Sequence, residues 1–282
     1  MRPSKFCTYF PGLESVSFKM GIFLFWLLCL GCGQLYAQIV VFRAGENGYR
    51  NFRIPAIVRA GNDNLLAFCE GRTNGGADFG NIDIVVKTSK DNGKTWSDLR
   101  VVVDQDSMQA GNPAPVVDRY DPAHPQGRIL LFYNTGNNHE SEVRKAKGLR
   151  ECWVISSVDG GMSWSNPQNI TLQVHRPNYP AANSNYNFKE DWRSYANTPG
   201  HALQIETGKY KGRIFVAANH SAGNPKPDFS DYSAHGYFTD DHGASFHLSE
   251  TVTLPGSNES IAVELPNAGL SGVDQRPKTF SI

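Results

Sequence analysis

Arg53 stands in Phe52-Arg53-Ile54-Pro55, and a guanidinium there offers the planar fork that grips a carboxylate through two parallel hydrogen bonds. Read as a short strand, the segment puts Phe52 and Ile54 on one face and Arg53 on the other, so the charge projects away from a core. Two carboxylates stand out beside it. Asp78 lies in a glycine-rich stretch, Ala77-Asp78-Phe79-Gly80, and on local grounds reads as a turn aspartate. Glu259, in Asn258-Glu259-Ser260, reads as a solvated glutamate at a strand edge, with Glu264 as a nearby competitor. Other chemistries lack their residues. The eight histidines show no metal-ligand spacing, and there is no His-Glu-x-x-His, Cys-x-x-Cys cluster, P-loop or Gly-x-Ser-x-Gly. No metal site and no cofactor are expected.

The elements that must position these side chains announce themselves through a repeat. Ser89-Lys90-Asp91-Asn92-Gly93-Lys94-Thr95-Trp96, Ser157-Val158-Asp159-Gly160-Gly161-Met162-Ser163-Trp164 and Thr239-Asp240-Asp241-His242-Gly243-Ala244-Ser245-Phe246 all read Ser/Thr-x-Asp-x-Gly-x-Ser/Thr-aromatic. Their starts are separated by 68 (157 − 89) and 82 (239 − 157) residues, too uneven for a solenoid and suited to a ring of variable four-stranded blades. The aspartate is expected to bond backbone a residue or two on, the glycine to take a left-handed turn position, and the aromatic to be buried. None of Asp91, Asp159 and Asp241 is expected to be catalytic, and they lack the carboxylate array of a calcium loop.

β-rich runs separated by Gly, Asn, Asp and Pro dominate the chain: Ile54 to Arg59, Asn64 to Cys69, Ile82 to Thr88, Arg128 to Tyr133, Cys152 to Ser156 and Arg213 to Ala218. The stretch 173–199, rich in Asn, Pro, Tyr and charge, reads as a long loop excursion. Residues 271–282 carry no period and read as an atypical tail. Lys+Arg and Asp+Glu both number 27, so nothing favours nucleic acid or an anionic membrane. The apolar run Ile22 to Leu30 is too short for a comfortable span. With Lys19 before it and Ala37 after it, residues 1–37 read as a signal peptide and the product as secreted or periplasmic. Met20 is an alternative start. Outside this leader, Cys69 and Cys152 are expected as buried thiols, one bridge between adjacent blades being the alternative.

Phe52-Arg53-Ile54-Pro55 followed by three such repeats resembles the exo-sialidase (neuraminidase) family, above all its bacterial members. Glu70-Gly71-Arg72, Ala77 to Asp83, Pro199-Gly200-His201 and Asn258-Glu259-Ser260 extend the resemblance over about 40–270. It implies an all-β six-bladed propeller over 38–282, present here in about four blades. It also implies that Arg53 is one of three arginines clamping the sialic acid carboxylate, and that Arg72 lines the pocket near the 4-hydroxyl. Asp78 would be the acid/base, and Glu259 the partner of a nucleophilic tyrosine. Sialidases with a tyrosine nucleophile depart from the two-carboxylate rule of glycosidases. The implied partners are sialylated glycoproteins, glycolipids or oligosaccharides. The family's other arginines and its tyrosine follow the glutamate, whereas residues 260–282 contain no Tyr, and Arg276 stands in an unpromising setting, Asp274-Gln275-Arg276-Pro277. The reading is an exo-α-sialidase acting with retention. Its alternative is a truncated, catalytically impaired form or a sialoglycan-binding remnant.

Overall fold

Alternation along Arg128–Gly136 shows how the chain is built. Leu130 and Phe132 enter one hydrophobic cluster, while Ile129, Leu131 and Tyr133 enter another on the opposite face. A strand buried on both faces is one that sits between two packed sheets. The computed structural model describes residues 38–265 and 278–281. The chain falls into two compact units, residues 1–39 and 40–282, and all that follows concerns the second. The proposed leader and Arg276 lie outside the described residues.

Four antiparallel strands make the first blade: β1 (Asn51–Arg59), β2 (Leu65–Arg72), β3 (Ile82–Ser89) and β4 (Arg100–Val103). The second repeats the pattern with β5 (Gln109–Asp118), β6 (Arg128–Gly136), β7 (Arg150–Ser157) and β8 (Gln168–Asn169). A single parallel pair, Ile82 with Gln109, joins the two blades. In the third, β9 (Trp192–Asn197) and β10 (Leu203–Gln204) both pair with β11 (Ile214–Ala222), followed by β12 (Tyr232–Thr239) and β13 (His247–Leu248). A two-stranded ribbon, β14 (Ser260–Val263) with β15 (Lys278–Ser281), comes next. Among the described residues, helix is confined to α1 (Glu140–Val143), α2 (Thr171–Val174) and one 3-10 turn. The fold is a sialidase-type β-propeller, of which the described residues form three blades and a ribbon. Leu66, Phe68, Ile84 and Val86 of the first blade pack on Ile129, Leu131 and Ile155 of the second. Phe132, Cys152 and Val154 of the second pack on Tyr195, Val216 and Tyr237 of the third. Cys69 and Cys152 are both free and buried.

Two local expectations need correcting. The stretch 173–199 is not all loop, because β9 runs through it as an inner strand of the third blade. Ser194 and Asn197 supply buried polar groups that hide the strand pattern carried by Trp192 and Tyr195. The tail is not without structure either, since Lys278–Ser281 pairs with β14.

Each repeat forms the turn between the last two strands of its blade, as its chemistry requires. The reach is longer than expected. Asp91 accepts from the Thr95 amide (2.8 Å) and hydroxyl (2.6 Å), four residues on, and Asp159 and Asp241 do the same with Ser163 and Ser245. The hydroxyl and then the amide of Thr95 hold the Asp91 carboxyl at a pKa of about 2. The Ser89 hydroxyl bonds both Asp91 and the Gly93 amide, closing the loop from the other side. Asn92 and Gly93, Gly160 and Gly161, and His242 and Gly243 are all left-handed, which is why Gly recurs in the second place. Of the three aromatics only Phe246 is fully buried; Trp96 and Trp164 are half-buried. The rings of the second and third repeats reach the preceding blade, Trp164 edge-on to Phe68 and Phe246 edge-on to Phe132. Arg100 donates to the Gly161 and Met162 carbonyls, so the second turn is fastened to the first blade by charge as well. A Cβ on Gly161 would meet Leu66 Cδ2 at 2.3 Å, at a φ of +84°. Gly161→Ala is expected to lower stability by roughly 1–3 kcal/mol in urea unfolding. An unchanged midpoint would contradict this account of how the repeats lock neighbouring blades.

Candidate active site

The site begins with a kink in β1. Pairing with β2 shifts register between Arg53 and Ala56, and Ile54 between them has a φ of +54°. A β-branched residue in the left-handed region is strained by about 1–3 kcal/mol. Pro55 cannot donate to the ladder, so the bulge falls where a hydrogen bond is already absent. The expected simple alternation around Arg53 is therefore replaced by a bulge that aims the residue. The same device recurs in β5, where Asn112 has a φ of 52°, Pro113 follows, and register shifts between Gly111 and Ala114.

Arg72 ends β2 and is buried. Its Nε and Nη2 donate to Glu70 Oε2 at 2.9 and 2.5 Å. Its Nη1 donates to the carbonyls of Gly76 (2.7 Å) and Ala77 (2.9 Å) and to Asp78 Oδ1 (2.7 Å). One guanidinium thus shapes the loop between β2 and β3. The Thr73 amide and hydroxyl close the base of that loop on Asn81, and Gly75 and Gly80 take φ of 138° and 132° within it. Arg53 Nη1 donates to the same Asp78 oxygen at 2.8 Å. Two cations therefore converge on one atom. The Asp78 side chain remains 62% exposed and that of Arg53 47%, so the cluster faces solvent while its root is buried.

Of the four residues singled out from sequence, the structure joins three. Glu259 is exposed immediately before β14, and among the described residues it makes no hydrogen bond or ion pair. It precedes the first strand of the ribbon as Arg53 opens that of the first blade. Its competitor Glu264 is committed elsewhere, accepting from the Glu206 and Thr207 amides and the Thr207 hydroxyl. Those bonds hold the Glu264 carboxyl below its ordinary range against the opposing effect of burial.

Sequence reasoning gave no role to Glu70. It is fully buried, and its Oε1 accepts from the Asn112 amide at 2.8 Å, so the carboxylate that holds Arg72 also ties blade one to the kink of blade two. Gly111 makes room for it, since a Cβ there would lie 2.6 Å from Glu70 Oε1. The signal was present: Glu70 and Arg72 are two residues apart on one strand and so share a face.

Residues 63–270 match the family model of the BNR repeat-like domain. The chain belongs to the sialidase family of BNR-repeat proteins. It is 30% identical to the exo-alpha-sialidase of Aspergillus fumigatus over 183 residues, 57% of this chain and 40% of that one. To the sialidase of Paraclostridium sordellii it is 25% identical over 236 residues, 82% of this chain and 54% of that one. The chain thus spans only about half or less of the length of these sialidases. Among solved structures, a Hadza microbial sialidase superposes with a TM-score of 0.61 at 23% identity, over 78% of this chain and 41% of that one. A leech intramolecular trans-sialidase superposes at 0.60 and 15% identity, over 86% of this chain and 50% of that one. At these identities the structural likeness speaks for the fold of this sialidase-family chain.

Proposed function

We propose that this chain carries exo-α-sialidase chemistry, releasing terminal sialic acid from glycoproteins, glycolipids or oligosaccharides with retention of configuration. The observation that carries the reading is the convergence of Arg53 and Arg72 on Asp78 Oδ1, at 2.8 and 2.7 Å. In this arrangement Asp78 occupies the Arg53 donor that a substrate carboxylate would claim. Entry of the ligand carboxylate frees Asp78 from one of its two partners and leaves it beside the scissile bond, still located by Arg72. There it protonates the departing glycosidic oxygen as the bond to the anomeric carbon breaks and the nucleophile's bond forms. It then takes a proton from the water that releases the sugar. Arg72, bonded to two loop carbonyls, fixes the position of Asp78 and borders the sugar ring. Glu259 is assigned to draw the proton from a tyrosine nucleophile.

A second reading is binding of sialylated glycans without turnover, which needs the Arg53 and Arg72 donors but no nucleophile. We further propose residues 1–37 as a leader and a secreted or periplasmic location. Among the described residues, no helix is long and apolar enough to cross a membrane.

The test is release of a fluorogenic aglycone from an α-sialoside by the purified chain. Turnover is expected to fall by roughly 10²–10⁴-fold in Asp78→Ala. A chain that binds the sialoside through Arg53 but releases no fluorophore supports the second reading. Turnover that survives Asp78→Ala unchanged removes Asp78 from the mechanism.

A further inference from the structure

Arg150 opens β7 and is only 5% exposed, yet its guanidinium makes no hydrogen bond or ion pair with any described residue. A buried cation without a partner is costly, and natural structures keep one only where something else repays it. Its surroundings are built around it. Arg150 pairs across the ladder with Gly136, where a Cβ would lie 2.9 Å from Arg150 Nε, 3.0 Å from its Cδ and 3.2 Å from Gln109 Oε1. Gly136 is thus the gap over which the arginine lies. Gln109 Oε1 and Arg150 Nε are both buried and both unpartnered. On its other side Gln109 borders the active site, for its Nε2 and Glu70 Oε1 both come within 3 Å of a Cβ on Gly111. Gln109 therefore lies between Glu70, which holds Arg72 beside Asp78, and Arg150.

Burial lowers the pKa of the Arg150 guanidinium, and the acidic groups of Glu140, Tyr232, Glu70 and Asp78 act against that effect. Glu140, in α1, is itself anchored: its Oε1 accepts from the hydroxyls of Tyr232 and Ser194. With three carboxylates already around it, Arg150 is a poor site for a second anionic group. It is a good donor to a neutral oxygen.

We propose that Arg150 is a ligand-binding residue of the same site, donating to an uncharged hydroxyl or carbonyl oxygen on the arm of the sugar remote from the carboxylate held by Arg53. This inference rests on the sialidase reading. It assigns the second blade a part in recognition and explains why an arginine is kept unpaired in a packed wall, where stability is given up for binding.

The test uses the full chain, a methyl α-sialoside as probe, calorimetric titration, and thermal unfolding of each variant without ligand. Arg53→Ala is expected to abolish measurable binding. Arg150→Met is expected to weaken binding by roughly 10- to 100-fold, the worth of one charge-assisted hydrogen bond, with Arg150→Lys recovering part of it. The ligand-free Arg150→Met protein is expected to unfold at the same or a higher temperature, because a desolvated charge has been removed. A structural arginine would give the reverse, a lower unfolding temperature. That result, or unchanged affinity in Arg150→Met while Arg53→Ala fails to bind, overturns this inference alone. Absence of binding by the unsubstituted chain overturns the sialidase reading, and this inference with it.

Discussion

Glu70→Ala is expected to cost about 3–5 kcal/mol, the loss that follows when one partner of a buried ion pair is removed. Three consequences add in the same direction. Arg72 Nε and Nη2 lose their acceptor inside the protein. The Asn112 amide, at the left-handed kink of β5, loses the oxygen that satisfies it. A void opens beside Gly111. Glu70→Gln keeps the shape and one carbonyl acceptor, so its loss should be clearly smaller. Urea unfolding monitored by tryptophan fluorescence gives both numbers. The same variants should weaken sialoside binding, because Arg72 shapes the loop that carries Asp78. Stability within 0.5 kcal/mol of the parent in Glu70→Ala would show that the tie between the first two blades is not where we place it.

That Arg53, Arg72 and Asp78 would come together was legible through the family resemblance their short runs carry, and the runs lie within one blade. The strands were legible for a different reason: Ile82, Ile84 and Val86 recur at every second position and so share one face, the period of a strand with a buried face. What stayed hidden depended on partners distant in sequence. The bulge at Ile54 runs against the preference of a β-branched residue, and it is sustained by the surrounding sheet. The strand at Trp192–Asn197 is masked by the polar groups it buries. Arg150 and Gln109 look like ordinary strand residues until Gly136 and Gly111 bring them into one wall with Glu70. The expectation that Trp96 and Trp164 would be fully buried was not met, since both rings are only half-buried.

Lowering the pH from 7 to about 4.5 is expected to remove on the order of 5 kcal/mol of stability, through histidines that no sequence spacing connected. His175, His220 and His235 are all buried in the third blade. Trp192 stacks on His220 with ring centroids 3.5 Å apart, and His175 lies against Trp192 and Tyr195. His220 Nδ1 and His235 Nδ1 are 3.0 Å apart, an arrangement that needs one nitrogen to donate and the other to accept. Two imidazolium ions cannot make that bond. Burial first, and then the neighbouring His235 and His175, depress His220 to a pKa of about 2. Burial depresses His235 to about 3. His175, with neither ring nitrogen partnered, is pushed well below its ordinary value by burial, with His235 and Arg176 adding to the effect. These groups are neutral when folded and protonate near pH 6.5 when unfolded, so their stability is intact above about pH 6.5 and declines as the pH falls toward 3. His220 and His235 alone, each losing about 1.4 kcal/mol per pH unit over two units, give the figure above. The turn aspartates Asp91, Asp159 and Asp241, held at about 2, act in a separate window below the ordinary aspartate range. Loss between pH 6.5 and 4.5 therefore belongs to the histidines. Urea unfolding at both pH values measures it, and Trp192 against His220 provides a local fluorescence signal for the same step. In His235→Phe, which removes one of the three titrating rings and its bond to His220, the pH dependence should shrink by roughly a third or more. An unfolding midpoint that does not move between pH 7 and 4.5 would mean that these rings are less thoroughly shut away from water than their packing indicates.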